Sequence, residues 1–386
     1  MTDENPDKGP LSELRGALDA LDHELLALLV RRMDIVAEIA ARKRSHRVRI
    51  RDLARERRVL EDRCARAQEL GLPTGGIESI WRQLMLMSRE RQAALRAEVP
   101  LDVESKTIAI IGGEGGMGRS LNTLFSDLGH EVLSADLETP LRPEDVAATA
   151  DVVIISVPIR ETRSVIERLG PLVRKDALLM DVTSIKTEPM NAMLASTEAS
   201  VLGTHPMFGP GVNTYQGQRV VICPGRGDAW LDWARQMFTA RGLVITETTP
   251  SEHDSMMAIV QVLHHFKTQV LGLALSRAGS PLEETLRFTS PAYLLEAYVT
   301  GRHFAQSPDL YGPIEMLNPD SERVIKGFQE AAAYLASVLA KGDQQAFDQV
   351  FEEVREFFGD FTDEALEQSG FLIDRLVELS AGRSST

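Results

Sequence analysis

The chain has 386 residues, 43% of them hydrophobic and 26% charged, enough for two or three domains each with its own core. A formal net charge of −15 excludes a general affinity for nucleic acid or acidic membranes, and no run of about 20 apolar residues provides a membrane span. Two cysteines, Cys64 and Cys223, are too few and too far apart for a disulfide framework or a metal site, and the polar, acidic N-terminus lacks the features of a secretory signal, so a reducing cytoplasm is expected.

Residues 1–98 carry 19 Lys and Arg against 17 Asp and Glu, whereas the remainder carries 23 against 40. This break coincides with a change of pattern and predicts a fusion of modules, bounded at about 11–98, 104–250 and 251–380. The first module opens with a proline-free helical pattern from Leu11 to about Ser45, with an apolar stripe of Leu14, Leu18, Leu21, Leu25, Leu28, Leu29, Ile35, Val36 and Ile39. A second helix is expected over Arg51 to Leu70, stopped by Gly71 and Pro73, and a third over Ile77 to Ala97. One long and two shorter helices bury little alone, which predicts a helix-exchanging dimer. Asp52, Arg55 and Glu56 share one helical face, Ser88 and Gln92 another, and Arg32 and Lys43 a third.

A short linker, Glu98 to Ser105, leads into the β-branched run Ile108–Ile111. Gly113, Gly115 and Gly118 then give the G-x-G-x-x-G spacing of a dinucleotide turn, with Gly116 and Met117 between them and a helical pattern following. The next apolar run ends at Asp136, where a carboxylate binds the ribose hydroxyls of NAD; no arginine follows at once to favour NADP. Two further runs, Asp151 to Pro158 and Ala177 to Ser184, complete the pattern of a doubly wound parallel sheet. Ser156, Val157, Pro158 and the stretch Asp181 to Lys186 then fall at strand ends, where such sheets bind ligands. His205 is expected between strand and loop in G-T-H-P-M-F-G-P-G, and an imidazole held there suits proton removal near neutral pH. From Glu252 the pattern is helical, and the last residues, S-A-G-R-S-S-T, read as a disordered tail.

The first module, through L-R-G-A-L-D-A-L-D-H-E-L-L-A-L-L-V-R-R, A-R-K-R-S-H, R-D-L-A-R-E and S-R-E-R-Q, resembles chorismate mutase of the all-helical bacterial type. That resemblance implies that Arg15, Arg32 and Arg55 bind the substrate carboxylates, with Ser88 a further contact. It implies Lys43 and Gln92 on the breaking ether oxygen, and Asp52 and Glu56 around the ring hydroxyl. Arg15 and Arg32 stand about 26 Å apart on one helix at 1.5 Å per residue, so Arg15 is expected to reach the site of a second copy.

The later motifs, G-G-E-G-G-M-G, V-P-I, D-V-T-S-I-K and G-T-H-P-M-F-G-P in this order, resemble prephenate dehydrogenase. Joined to the first module, they make the chain similar to the bifunctional chorismate mutase/prephenate dehydrogenases of tyrosine biosynthesis. The fold implied is multidomain: an all-α mutase domain, an α/β Rossmann NAD-binding domain, and an all-α C-terminal dimerisation and substrate domain. Also implied are His205 as the catalytic base, Ser184 orienting it and the substrate hydroxyl, and Lys186, His265 and Arg302 at the substrate. His253 and His264 are read as structural. NAD as cofactor, no metal, a homodimer and feedback by L-tyrosine complete the expectation. Leu294 stands where relatives carry a second arginine, eight positions before Arg302. No residue decides between prephenate and arogenate.

Overall fold

A computed structural model describes residues 11–46, 50, 52–95, 104–212 and 214–381. The polar N-terminus, the linker from Glu98 to residue 103 and the tail after Ala381 lie outside them. The described chain forms two compact units, the first drawn from residues up to 157, 164–182 and 190–248, the second from 158–163, 183–189 and 249 onward.

In the first unit, α1 (Ser12–His46), α2 (Leu53–Glu69) and α3 (Thr74–Ala94) form the expected helical module. Asp52 starts α2 by accepting the Arg55 N–H at 2.9 Å, an N-cap that satisfies a donor the helix leaves open. The third helix begins earlier than its pattern predicts, because Pro73 supplies the extended residue before it, and its expected end at Ala97 lies outside the described residues. A larger difference concerns the stripe on α1. Val36 is buried against the other helices, but Leu14, Leu18, Leu21, Leu25 and Leu28 are each more than half exposed within one chain. At 35 residues α1 is far longer than the 21-residue α3.

A seven-stranded sheet of order β2-β1-β3-β4-β5-β6-β7 builds the rest of the unit. β1 (Thr107–Ile111), β2 (Glu131–Ala135), β3 (Val152–Ile155), β4 (Leu178–Asp181) and β5 (Ser200–Pro206) are parallel. β6 (Arg219–Arg226) is antiparallel to β5, and β7 (Val244–Glu247) is parallel to β6, so the last two strands run against the rest. A short connection without a helix joins β5 to β6, which permits only an antiparallel return.

Alternation along the strands fills a core on each side of the sheet. Ile108, Ile110, Ile154 and Met180 pack with Leu121, Leu124 and Phe125 of α4 (Gly116–Asp127), whereas Ala109, Ile111, Val153 and Ile155 pack with Val146 of α5 (Pro143–Thr149) and Ile166 of α6 (Ile159–Leu169). Each fully buried large aliphatic side chain contributes roughly 1.5–3 kcal/mol. Phe125 is wholly covered and stacks on Trp233 of α8 (Asp228–Ala240) at 5.9 Å.

The second unit is helical after the segment that opens α7 (Thr187–Ser196). It contains α9 (Pro250–Met257), a π-helical turn at Ala258–Leu263, α10 (His264–Ser276), α11 (Leu282–Arg287), α12 (Pro291–Phe304), α13 (Pro308–Leu317), α14 (Ser321–Lys341), α15 (Gln344–Phe358) and α16 (Phe361–Ala381). Its buried cluster is small, with Ala258, Val262 and Val324 at the centre, and many large apolar residues, among them Leu273, Leu339 and Phe351, stay exposed. Among the described residues no helix is long and apolar enough to cross a membrane.

Candidate active sites

On the helical module, Arg32 Nη1 donates to Ser88 Oγ at 2.6 Å and to the Leu84 carbonyl at 3.0 Å, tying α1 to α3. Burial lowers the Arg32 pKa from its ordinary value. One turn on, Gln92 is buried; its Nε2 donates to the Ser88 carbonyl at 3.1 Å, while its Oε1 has no hydrogen-bond partner among the described residues. An amide oxygen left unpaired in a covered position costs roughly 1–3 kcal/mol, unless the amide turns to serve a ligand. Lys43 Nζ donates to the Ile50 carbonyl at 2.5 Å.

Asp52 has a structural partner in its own helix, whereas Arg15 and Arg55 are exposed. Glu56 accepts a bond from Arg89 at 2.7 Å, with both side chains about four-fifths covered. Arg89 was missed by the residue pattern, because its partner lies on a different helix and no periodicity connects them.

The glycine turn after β1 sits at the switch point, where β2 lies to one side of β1 and β3 to the other. The tight turn is made by Gly112 at φ +85°, a residue outside the spaced triplet. A Cβ at Gly112 would stand 2.3 Å from the Ser156 carbonyl oxygen, so the ends of β1 and β3 meet through it. Gly118 keeps its expected task, since a Cβ there would lie 2.3 Å from the Gly112 carbonyl oxygen and hold the helix off the turn. Gly115 is the N-cap of α4, Gly116 its first residue, and Met117 packs on the core beneath the sheet. Asp136 follows β2 directly; its carboxylate accepts the Glu114 N–H at 3.0 Å and the Leu137 N–H at 2.8 Å, which orients it beside the turn. Ser156 and Val157 are half-buried after β3, and Pro158 is exposed.

These residues fit a dinucleotide. The turn approaches its neighbours more closely than any side chain would permit, α4 presents an uncapped N-terminus to a pyrophosphate, and a fixed carboxylate stands at the ribose position.

His205 lies within β5, not in the loop beyond it, paired opposite Val221 and only 3% exposed. The neighbouring Thr204 hydroxyl donates to the Asp181 carbonyl at 2.6 Å, which locks the ends of β4 and β5 together. In the second unit the turn Thr183–Lys186 is largely buried. Lys186, expected near substrate, is fully covered, with its Nζ 3.3 Å from Thr183 Oγ1.

Farther along the second unit, the π-helical turn precedes His264 and His265, an irregularity often found at functional positions. His265 packs edge-on against Tyr311 at 4.8 Å, and Tyr311 stacks on His303 at 3.9 Å. His265 Nδ1 has no hydrogen-bond partner among the described residues, and burial, with the charges of His264 and His303, pushes its pKa down to about 4. Gln269 bridges His303 at 3.2 Å and Glu315 at 2.7 Å. Burial raises Glu315, against the opposing effect of that bond. His303, Tyr311, Gln269 and Glu315 line a cavity of about 740 Å³. Arg302 is exposed on α12 beside this group. Tyr311, His303, Gln269 and Glu315 are site-lining residues that spacing did not single out. His253, read as structural, is buried against Asp254.

A switch-point glycine turn with an acidic strand end and a buried strand-end histidine defines a dinucleotide-dependent dehydrogenase, here carried behind a helical module. The family Chorismate mutase type II matches residues 14–93, Prephenate dehydrogenase, nucleotide-binding domain matches 130–247, and Prephenate dehydrogenase, dimerization domain matches 249–353. The chain is 36% identical over 365 residues to a T-protein of Enterobacter agglomerans, covering 94% of this chain and 97% of that one. It is 34% identical over 374 residues to a T-protein of Haemophilus influenzae, covering 96% and 98%. It also resembles in fold a crystal structure of prephenate dehydrogenase from A. aeolicus in complex with hydroxyphenyl propionate and NAD+, at TM-score 0.56 and 18% identity over 66% of this chain and 97% of that one. The chain belongs to the T-protein family, in which a chorismate mutase domain precedes the two domains of a prephenate dehydrogenase.

Proposed function

We propose that this chain carries out two consecutive steps toward tyrosine: chorismate to prephenate, then prephenate and NAD to 4-hydroxyphenylpyruvate, carbon dioxide and NADH. The observation that carries the reading is that one chain holds a helical polar cluster together with a dinucleotide turn and a buried strand-end imidazole.

Rearrangement of chorismate is unimolecular, so the helical module acts by holding a dianion in its folded conformer and stabilising charge on the ether oxygen. Arg32 and Arg55, with Arg15 from a second copy of the chain, suit the carboxylates through bidentate bonds. Ser88 supports Arg32, as its 2.6 Å bond suggests. Lys43 and Gln92 serve the ether oxygen; the Gln92 NH2 gives one N–H to the Ser88 carbonyl and has a second to give. Asp52 and Glu56 stand around the ring hydroxyl.

In the dehydrogenase, Gly113, Gly115, Gly116, Met117 and Gly118 hold the pyrophosphate of NAD, Asp136 the ribose, and Ser156, Val157 and Pro158 the nicotinamide end. Bound there, NAD supplies the acceptor for a hydride from C4 of prephenate. His205 takes the proton of the 4-hydroxyl, Ser184 orients that hydroxyl, His265 and Arg302 serve the carboxylates and side chain, and Lys186, fully covered, acts through Thr183. As the hydride leaves C4 and the proton leaves oxygen, the ring carboxylate departs as carbon dioxide, and its electron pair completes the aromatic ring. The protein acts as a homodimer in the cytoplasm and is subject to inhibition by L-tyrosine.

A His205→Asn variant tests the reading. Its prephenate-dependent NADH formation is expected to fall roughly 10²–10⁴-fold, the range of a general base, with mutase activity intact. Retention of turnover within a few-fold of the wild type overturns the assignment of His205.

A further inference from the structure

Ser184 is half-buried, and its hydroxyl makes no hydrogen bond to the described residues, but the residues around it are held. Thr183, Ile185 and Lys186 are all at least 95% covered. The Thr183 hydroxyl donates to the Ile185 carbonyl at 2.8 Å, across Ser184, and the Lys186 ammonium donates to that same hydroxyl at 3.3 Å. Both backbone N–H groups that follow are taken by one carboxylate: Asp254 Oδ1 accepts from Lys186 at 2.7 Å, and Oδ2 from Thr187 at 2.9 Å.

Asp254 is itself fixed. It is 1% exposed, His253 Nδ1 lies 2.8 Å from its Oδ1, and Asn318 Nδ2 donates to its backbone carbonyl at 2.8 Å. Burial opposes its ionisation, yet the bonds from His253, Thr187 and Lys186 hold its pKa below the usual carboxylate range. A charged carboxylate facing the first N–H groups of α7 is also favoured by the helix dipole.

We propose that Asp254 is a positioning residue for prephenate oxidation: anchored by His253 and Asn318, it fixes the turn that presents Ser184 to the substrate hydroxyl. Lys186 belongs to the same support, through Thr183. This rests on the reading of Ser184 given above. A misplaced reacting group lowers turnover even when nothing that touches substrate has been removed.

A double-mutant cycle on the full-length enzyme tests this, with Ser184→Ala, Asp254→Asn and the two combined. Asparagine keeps the shape of the side chain but cannot accept from both N–H groups at once. Asp254→Asn is expected to lower kcat for prephenate by about tenfold or more, and by less than about twofold in the Ser184→Ala background, because two residues acting as a unit are not additive. NAD affinity, measured by fluorescence quenching, and mutase activity are expected within about twofold of wild type. Equal losses in both backgrounds overturn the proposal, as does a parallel loss of NAD binding. Full turnover in Ser184→Ala alone overturns the reading of the serine itself, and the positioning role with it. Should Asp254→Asn fail to fold, His253→Gln removes one support of the same carboxylate; the same dependence on Ser184 is expected, and additivity contradicts it.

Discussion

His265 has surroundings far from those of a free side chain. Its imidazole is covered, faces Tyr311, and stands near His264 and His303, so protonation is resisted and the pKa falls to about 4. An unfolded histidine takes its proton near 6.5. Above that pH both states are neutral; as the pH falls toward 4 the unfolded chain binds a proton that the fold refuses, and stability decreases across that window. NMR titration of the ring is expected to give a midpoint near 4, and His265→Gln to flatten the loss of stability between pH 6.5 and 4. A midpoint near 6.5 contradicts the burial described.

At this same scale, sequence spacing revealed Gly113, Gly115, Gly118 and Asp136, because dinucleotide binding constrains residues close together along the chain. Gly112 did not stand out, since its positive φ depends on where β1 stops. Asp254 was equally hidden, as the N–H groups it accepts lie 68 and 67 positions away.

Among the elements, α1 departs most from what one chain can satisfy. Its stripe follows a helical period and reads as interior, yet Leu14, Leu18, Leu21, Leu25 and Leu28 are exposed within one chain. The pattern identified the helix correctly, and the second copy proposed above would cover the same residues. A Leu21→Glu substitution would place a charge in that interface. Mutase turnover is expected to fall by about tenfold or more, with prephenate oxidation by the same preparation unchanged, since an unpaired charge in an apolar contact costs several kcal/mol. Full mutase activity in this variant contradicts exchange through α1. The sheet offers the opposite case. Its first four strands were legible as apolar runs, but β6, β7 and the reversal between β5 and β6 were not, because direction is set by a connection without helical period.

Taken whole, the molecule joins two chemistries with different demands. The mutase requires fixed charges that differ little between bound substrate and product, so its residues are arginines, a lysine and amides on helices. The dehydrogenase requires a proton acceptor and a dinucleotide, and these fall at strand ends, where backbone N–H groups and a buried imidazole can be held. The glycine turn, Asp136 and the polar faces of the helices were legible in the chain because each relies on local spacing. Their support, in Arg89, Asp254 and the Tyr311 group, was not, because folding alone brings it together. One assay addresses both activities: NADH formation, followed by absorbance, from purified protein given chorismate and NAD, with prephenate in a parallel reaction. NADH is expected from both substrates. Signal from prephenate alone would contradict the two-step assignment and leave the Arg32, Ser88 and Gln92 cluster without a reaction.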